Sequence, residues 1–90
     1  MMHDTKLLLS TDDWNTFINP GVYKVVKPSG NIEPFAGPNS PPSLYPWGIL
    51  LVFTSYDAIV HFYINHNILS GLQFRCAYTK DSWRDWVTII

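Results

Sequence analysis

The segment from Pro28 to Pro46 constrains the fold of this chain most, because it contains six of the seven prolines. Proline fixes the backbone angle φ and lacks an amide donor, so neither a helix nor an interior strand can persist through this segment. Too little chain lies on either side of it for two domains. We therefore expect one domain over residues 10–90, preceded by a lead-in over residues 1–9, with the proline-rich segment as a long surface loop.

The composition limits how this domain can be stabilised. A chain of 90 residues buries only about 60% of its unfolded surface, and Cys76, the only cysteine, has no partner for a disulfide. The chain is 47% hydrophobic and 14% charged, and this charged fraction is well below the ~25% of typical soluble domains. We therefore expect a partner to cover part of the surface, with association between copies as the simplest case.

Charge and the length of apolar runs argue against two classes of partner. The formal net charge is -1, and no basic stripe is present that would neutralise nucleic-acid phosphates. The longest apolar run, from Ile49 to Phe53, is much shorter than the ~20 residues of a membrane-spanning helix. Residues 1–4 lack the charged start and the apolar core of a signal peptide. The sequence thus predicts neither nucleic-acid binding nor membrane insertion.

Apolar alternation and turn signals predict a mainly β domain. Ser10, followed three residues later by Asp13, resembles a capping box and predicts a helix of one to two turns that ends before the turn signal Asn19-Pro20-Gly21. Residues 48–54 are apolar at successive positions, which is typical of a central strand covered on both faces. The expected fold is a small antiparallel sheet of four to five strands with a short N-terminal helix. The strands are predicted at residues 22–27, 48–54, 58–64, 72–78 and 83–90.

The strand predicted at residues 72–78 alternates between an apolar face and a more polar one. Cys76 shares the apolar face with Leu72, Phe74 and Tyr78, which favours Cys76 as a small buried hydrophobic residue. Arg75 projects from the opposite face, where its guanidinium needs a carboxylate, a carbonyl or an aromatic plane. An ion pair is the simplest of these.

No arrangement of residues indicates catalysis. The chain has no nucleophile elbow, no phosphate-binding glycine loop and no metal-ligand motif. Helix capping explains Asp12 and Asp13, while Asp81 and Asp85 lie close to a predicted turn, where solvation or pairing with arginine is expected. The histidines are scattered along the chain. We therefore expect a protein that is not an enzyme and that holds no metal ion or cofactor.

The aromatic residues are the strongest indication of a binding function. Four tryptophans and five tyrosines supply large, rigid faces with polar edges, and such side chains suit contact with sugar rings or with another protein. Each tryptophan can equally be a core residue, because a small core needs such volume. Tyr45 and Tyr56 lie in predicted loops, where exposure is more common. We expect the ligand-binding residues to include Tyr45, Tyr56, Trp47 and Arg75.

Three short motifs occur in the order seen in a known family. Asp-Asp-Trp-Asn-Thr-Phe at residues 12–17 precedes Pro20-Gly21-Val22-Tyr23, then Trp47-Gly48 opens an apolar strand, and Phe74-Arg75 is followed by Ser82-Trp83-Arg84-Asp85-Trp86. This ordered set resembles the pyocin-knob domain over residues 10–90. The structural residues of the motif are Trp14, Pro20, Gly21, Tyr23, Gly48, Trp83 and Trp86.

The pyocin-knob family occurs in tail fibres of phages and in phage-tail-like bacteriocins. The resemblance implies a homotrimeric fibre knob at or near the receptor-binding tip, made in the host cytoplasm and assembled into the virion or tail-like particle. Such a knob would contact a glycan or a protein of the bacterial surface. Two other interpretations stay open: a structural knob for trimerisation or attachment without a receptor site, and an accessory module of a glycan-degrading tailspike.

Overall fold

Six strands form a single sheet whose order across the sheet is the same as the order along the chain. The computed structural model describes residues 6–30, 35–42, 45–66, 72–79 and 81–89. β1 pairs parallel with β2, and the other neighbouring pairs are antiparallel. The strands are β1 (Lys6–Leu9), β2 (Gly21–Val26), β3 (Gly48–Ser55), β4 (Ala58–Asn65), β5 (Leu72–Ala77) and β6 (Val87–Thr88).

The prediction of a mainly β fold is confirmed, with differences at both ends of the chain. The sheet is mixed rather than purely antiparallel, because β1 runs parallel to β2. β1 lies within residues 1–9, for which only a lead-in is expected from sequence, and residues 1–5 lie outside the described residues. At the other end, β6 covers only two residues of the strand expected at 83–90, while Trp83 forms a single bridge with Ala77. Ile90 lies outside the described residues.

The short helix expected after Ser10 is a single 3₁₀ turn at Trp14–Thr16. Asp13 rather than Ser10 caps this turn, because its carboxylate accepts the backbone N–H of Asn15 at 3.0 Å. Ser10 is fully buried, and its backbone forms hydrogen bonds with β2 and with the proline-rich segment. Its N–H donates to the Val26 carbonyl at 2.8 Å, next to the parallel pair of β1 and β2.

One face of the sheet, the covered face, packs against the segments that lie outside the strands. Trp14 is fully buried there and makes edge-to-face contacts with Tyr63 and Trp86, at centroid distances of 5.3 and 5.9 Å. Its backbone N–H donates to the Pro38 carbonyl at 3.1 Å. The core on this face consists of Leu8, Trp14, Tyr23, Val25, Leu50, Val52 and Tyr63.

The proline-rich segment supplies part of this covering layer. Its described residues, 28–30, 35–42 and 45–46, contain neither helix nor strand, while residues 31–34 and 43–44 lie outside the described residues. Gly37 donates its N–H to the Ser10 carbonyl at 2.8 Å, and the side-chain amide of Gln73 donates to the Pro42 carbonyl at 3.0 Å. The proline-rich segment is therefore hydrogen-bonded both to Ser10, directly after β1, and to β5.

The opposite face of the sheet is apolar and incompletely covered, and we call it the open face. Because side chains alternate along a strand, every described strand contributes to it. The prediction that β3 is covered on both faces is wrong, since Ile49 and Phe53 are 40% and 43% exposed. Cys76, expected to be buried, is half-buried on this face. The apolar residues of the open face are Leu7, Leu9, Val22, Val26, Ile49, Leu51, Phe53, Val60, Phe62, Ile64, Leu72, Phe74, Cys76 and Val87.

Gly48, at the start of β3, is a glycine that the packing requires. An ideal Cβ at this position would lie 2.5 Å from the Ile64 carbonyl oxygen and 2.7 Å from the Asn65 Cα. Both are backbone atoms of β4, so a side chain could be accommodated only if the two strands moved apart. At Gly21, by contrast, a Cβ would lie 3.7 Å from the Tyr23 ring, which is an ordinary contact.

We expect Gly48→Ala to lower the free energy of unfolding by about 2 kcal/mol, because overpacking against fixed backbone costs roughly 1–3 kcal/mol. The matched variant Gly21→Ala should change it by less than about 1 kcal/mol, since alanine fits a strand without a clash. Urea denaturation followed by tryptophan fluorescence measures both. Equal effects of the two substitutions would contradict the close approach of β3 and β4 at Gly48.

Candidate functional site

A cleft with a volume of about 390 Å³ opens on the covered side of the sheet. Such a volume falls at the small end of the range found for ligand pockets. The proline-rich segment forms one wall, and the chain between β5 and β6 forms the other. The cleft is lined by Asn39, Ser40, Pro42, Arg75, Trp83, Arg84, Asp85 and Trp86.

Arg75 of β5 places a buried charge at this cleft, since the residue is only 3% exposed. Its guanidinium carbon lies 4.0 Å from the ring centre of Trp83 and 4.7 Å from that of Trp86. Both distances are within the range of cation–π attraction, which is strengthened where the cation is desolvated. Of the three kinds of partner that the sequence allows for Arg75, the aromatic plane is therefore supplied twice.

The charge of Arg75 persists at neutral pH. Burial lowers the pKa of Arg75 to about 10, and the nearby charge of Asp13 acts in the opposite direction. The Nη2 nitrogen makes no hydrogen bond with the described residues. A desolvated guanidinium nitrogen without an acceptor is costly, so the stacking of the rings and the hydrogen bond of Nε must offset part of that cost.

His61 of β4 accepts that hydrogen bond. Arg75 Nε donates to His61 Nδ1 at 3.3 Å, and the other ring nitrogen, Nε2, lies 2.6 Å from the Phe17 carbonyl oxygen. Because a carbonyl oxygen only accepts, the proton of the neutral ring must be on Nε2, which leaves Nδ1 free to accept from Arg75. The ring also lies beside Trp83, at a centroid distance of 4.4 Å.

The surroundings of His61 favour this neutral form. Burial lowers the pKa of His61 to about 4, the hydrogen bond to the Phe17 carbonyl acts against this, and the positive charge of Arg75 lowers it further. A neutral imidazole beside a cationic guanidinium avoids placing two positive charges together in a buried position. His61 is thus neutral near pH 7 and positions Arg75 through its Nδ1 acceptor.

The opposite wall is held by hydrogen bonds through Asn39. Its side-chain amide donates to the Asp13 carboxylate at 2.9 Å, and its carbonyl accepts the indole N–H of Trp86 at 3.0 Å. The Asn39 bond, together with a backbone bond from Asn15, lowers the pKa of Asp13 below its ordinary value. Asn39 lies at a φ of 63°, in a region that asparagine adopts more readily than most residues.

The structure separates the residues predicted to bind a ligand. Arg75 lines the cleft, whereas Tyr45, Trp47 and Tyr56 are not among its described lining residues. Tyr45 and Trp47 contact each other before β3, at a centroid distance of 5.6 Å, and Trp47 is 39% exposed. Tyr56 is fully exposed in the turn after β3. Since β3 has eight residues, its two ends lie about 24 Å apart.

The motif residues lie in different parts of the structure. Trp14 and Tyr23 are buried in the core, and Gly48 is required by the close approach of β4. Gly21 begins β2, directly after Pro20, which is exposed. Trp83 and Trp86, expected from sequence to be structural, are half-buried and line the cleft.

Several residues of the cleft were not predicted as site residues: Asn39, Ser40, Pro42, Arg84 and Asp85. For two of them, Arg84 and Asp85, the sequence contains a signal. They lie between Trp83 and Trp86, which follow closely after the strand that carries Arg75. No local pattern places Asn39 or Ser40 beside them, since both come from the proline-rich segment, far away along the chain. Asp81 and Asp85 are both exposed.

Two features of the described residues concern metal binding and membrane-spanning helices. Among the residues that the structure describes, no three His, Cys, Asp or Glu side chains are grouped so that they could hold a metal ion. No helix within these residues is long and apolar enough to cross a membrane.

Comparison with known proteins finds no family model, no curated protein and no solved structure that matches this chain. The resemblance to the pyocin-knob domain therefore stays a prediction from the sequence motifs. The function has to be inferred from the chemistry of the cleft and of the sheet faces.

We expect stability to fall on acidification because of His61. In the unfolded chain His61 binds a proton near its ordinary pKa of 6.5, whereas the folded chain resists protonation down to about pH 4. The stabilisation is complete above the unfolded value and is lost progressively between about pH 6.5 and pH 4, at a total cost of about 3 kcal/mol. Urea denaturation at a series of pH values measures this loss.

The control for this experiment is a pair of glutamine variants. His61→Gln keeps a donor for the Phe17 carbonyl but cannot be protonated, so its stability should change less between pH 6.5 and pH 4 than that of the wild type. His66→Gln alters an exposed residue and should keep the wild-type profile. Identical pH profiles for the wild type and His61→Gln would show that His61 does not have the assigned role.

Proposed function

We propose that this chain is a non-enzymatic recognition domain whose cleft binds a cell-surface carbohydrate. The observation that supports the proposal best is that two half-buried tryptophans and several polar side chains surround one cleft. Aromatic faces pack against the apolar faces of sugar rings, while neighbouring polar groups bond to the hydroxyls. The side chains of Asn39, Ser40, Arg84 and Asp85 supply such donors and acceptors.

The cleft is suited to weak but well-defined binding because its aromatic rings are held in place. Arg75 stacks on both tryptophans, and the indole N–H of Trp86 is bonded to Asn39. Rings that are fixed before binding lose little conformational entropy when a ligand arrives. The proline-rich segment, which we interpret as a long loop, contributes the second wall and limits how the sugar can enter.

We propose the tail fibre of a phage or of a phage-tail-like bacteriocin as the setting of this domain. The ordered motifs that end in Trp83 and Trp86 support this assignment through their resemblance to the pyocin-knob domain. A shallow sugar site binds with only about millimolar affinity. A homotrimer with several fibres per particle would raise the effective affinity by about 10²–10⁴ without new contacts.

A purely structural knob is the second candidate, and the open face is the observation that favours it. A domain whose task is trimerisation or attachment to another tail protein needs a large apolar surface and no receptor site. The two candidates differ in what they require of the cleft. Only the recognition domain loses function when the cleft is altered and the fold is kept.

We expect Trp83→Ala to weaken binding of the isolated domain to bacterial surface polysaccharides at least about fivefold, since the loss of a central aromatic contact typically costs more than about 1 kcal/mol. Arg84→Ala, at an exposed position of the same cleft, should weaken binding less. An array of immobilised polysaccharides probed with the purified protein measures this. Circular dichroism checks that each variant is folded.

Tyr56→Ala is the matched control, because it removes a fully exposed aromatic residue that lies outside the cleft. Its binding should equal that of the wild type. Loss of binding in Tyr56→Ala with retention in Trp83→Ala would place the ligand at the loop and contradict the proposal. Polysaccharide binding that survives in every cleft variant would also contradict the cleft as the binding site, whereas a wild-type domain that binds no polysaccharide would favour the structural knob.

A further inference from the structure

The open face carries rows of mainly apolar residues that run across the sheet. The central row joins five strands through paired residues: Val22, Leu51, Phe62, Phe74 and Val87. A second row passes through Leu7, Lys24, Ile49, Ile64 and Leu72. A third, shorter row joins Phe53, Val60 and Cys76. The result is one contiguous patch rather than scattered apolar residues.

Several apolar residues of this patch are exposed to solvent. Leu7 is 61% exposed, Val87 48%, Phe53 43% and Ile49 40%, and the other apolar residues of the open face are half-buried. Five strands about 4.8 Å apart and about 20 Å long give a face of roughly 500 Å². Contiguous apolar patches of that size on soluble proteins commonly mark interaction surfaces.

We propose that the open face is the surface through which copies of this chain associate, with the open faces of neighbouring copies packed against one another. Two faces of this size bury about 1,000 Å² together, and side chains that protrude from the sheets add to this area. A specific interface needs at least about 1,000 Å². Stacked sheets pack about 10 Å apart, with their inner side chains interdigitated.

The chemistry of the patch favours the same chain as its partner. Lys24 is the one charged side chain on the described part of the open face, and no carboxylate lies there to select a basic partner. Lys24 belongs to β2, one strand from the edge at β1, so its long side chain can carry the ammonium group to the rim. A surface that is apolar apart from one lysine can pack against the same surface of another copy.

Association through the open face leaves the cleft accessible. Arg75 lies on the other face of β5, and Trp83 and Trp86 pack against it there. Each copy would therefore present its own cleft outwards. The proposal does not depend on what the cleft binds, and it holds equally for a structural knob.

Light scattering of the purified chain after size exclusion measures the number of copies. We expect a multiple of the 10.3 kDa monomer mass in the wild type at micromolar concentration.

Phe62→Glu puts a charge in the central row and should weaken association at least about a hundredfold, because a buried unpaired carboxylate is strongly unfavourable. Phe53→Glu, at a more exposed position, should act in the same direction with less risk to the fold of the monomer. Tyr56→Asp is the control for an added acid and should keep the wild-type mass.

The single cysteine gives a second readout that needs no substitution. Cys76 lies on the open face, so its reaction with a thiol reagent should slow as the protein concentration rises and copies cover it. A monomeric wild type would overturn the proposal, as would an oligomer whose mass is unchanged in both Phe62→Glu and Phe53→Glu. A reaction rate of Cys76 that is independent of concentration in an oligomeric protein would overturn it as well.

Discussion

The burial of a cation beside two tryptophan rings is the interaction on which the covered layer of this domain depends. Arg75 comes from β5, and Trp83 and Trp86 come from the chain that follows this strand. Desolvation of a guanidinium is expensive unless its surroundings compensate for it. Here the two rings and a neutral His61 provide that compensation. Because Trp86 is also bonded to Asn39, one arginine holds both walls of the cleft in position.

The same interaction helps to explain why polar side chains are buried on the covered face of the sheet. Arginine, glutamine and histidine side chains normally lie on the solvent side of a half-covered sheet, yet Arg75, Gln73 and His61 are buried here. The open face carries aliphatic and aromatic residues as well, in addition to the apolar core on the covered face. The covered layer combines an apolar core with polar and aromatic contacts that shape a cleft, while the apolar open face stays incompletely covered. The low charge of the chain is consistent with this division.

Most of the strands could be predicted from the sequence, because alternation and turn signals are local. The turn at Tyr56 and the four strands from β2 to β5 follow from such patterns. Alternation shows which residues share a face, but it does not show which face the loops will cover, since that depends on contacts between distant segments. For this reason Arg75 can be predicted from sequence as a site residue, whereas Asn39 cannot. Tyr45, Trp47 and Tyr56 are not among the described lining residues of the cleft, and their contact with a ligand stays a prediction. The parallel pairing of β1 is likewise a long-range contact.

The central claim is that a neutral His61, with its proton on Nε2, holds a cationic Arg75 beside the two tryptophans. The most direct test is to measure the ¹⁵N chemical shifts of the imidazole nitrogens of His61 by NMR at pH 6 in the wild-type chain. The account predicts one protonated nitrogen, Nε2, and one unprotonated nitrogen, Nδ1, because burial keeps the pKa of His61 near 4. A doubly protonated imidazolium at pH 6, or a proton on Nδ1, would contradict the account, because neither form can accept the hydrogen bond from Arg75.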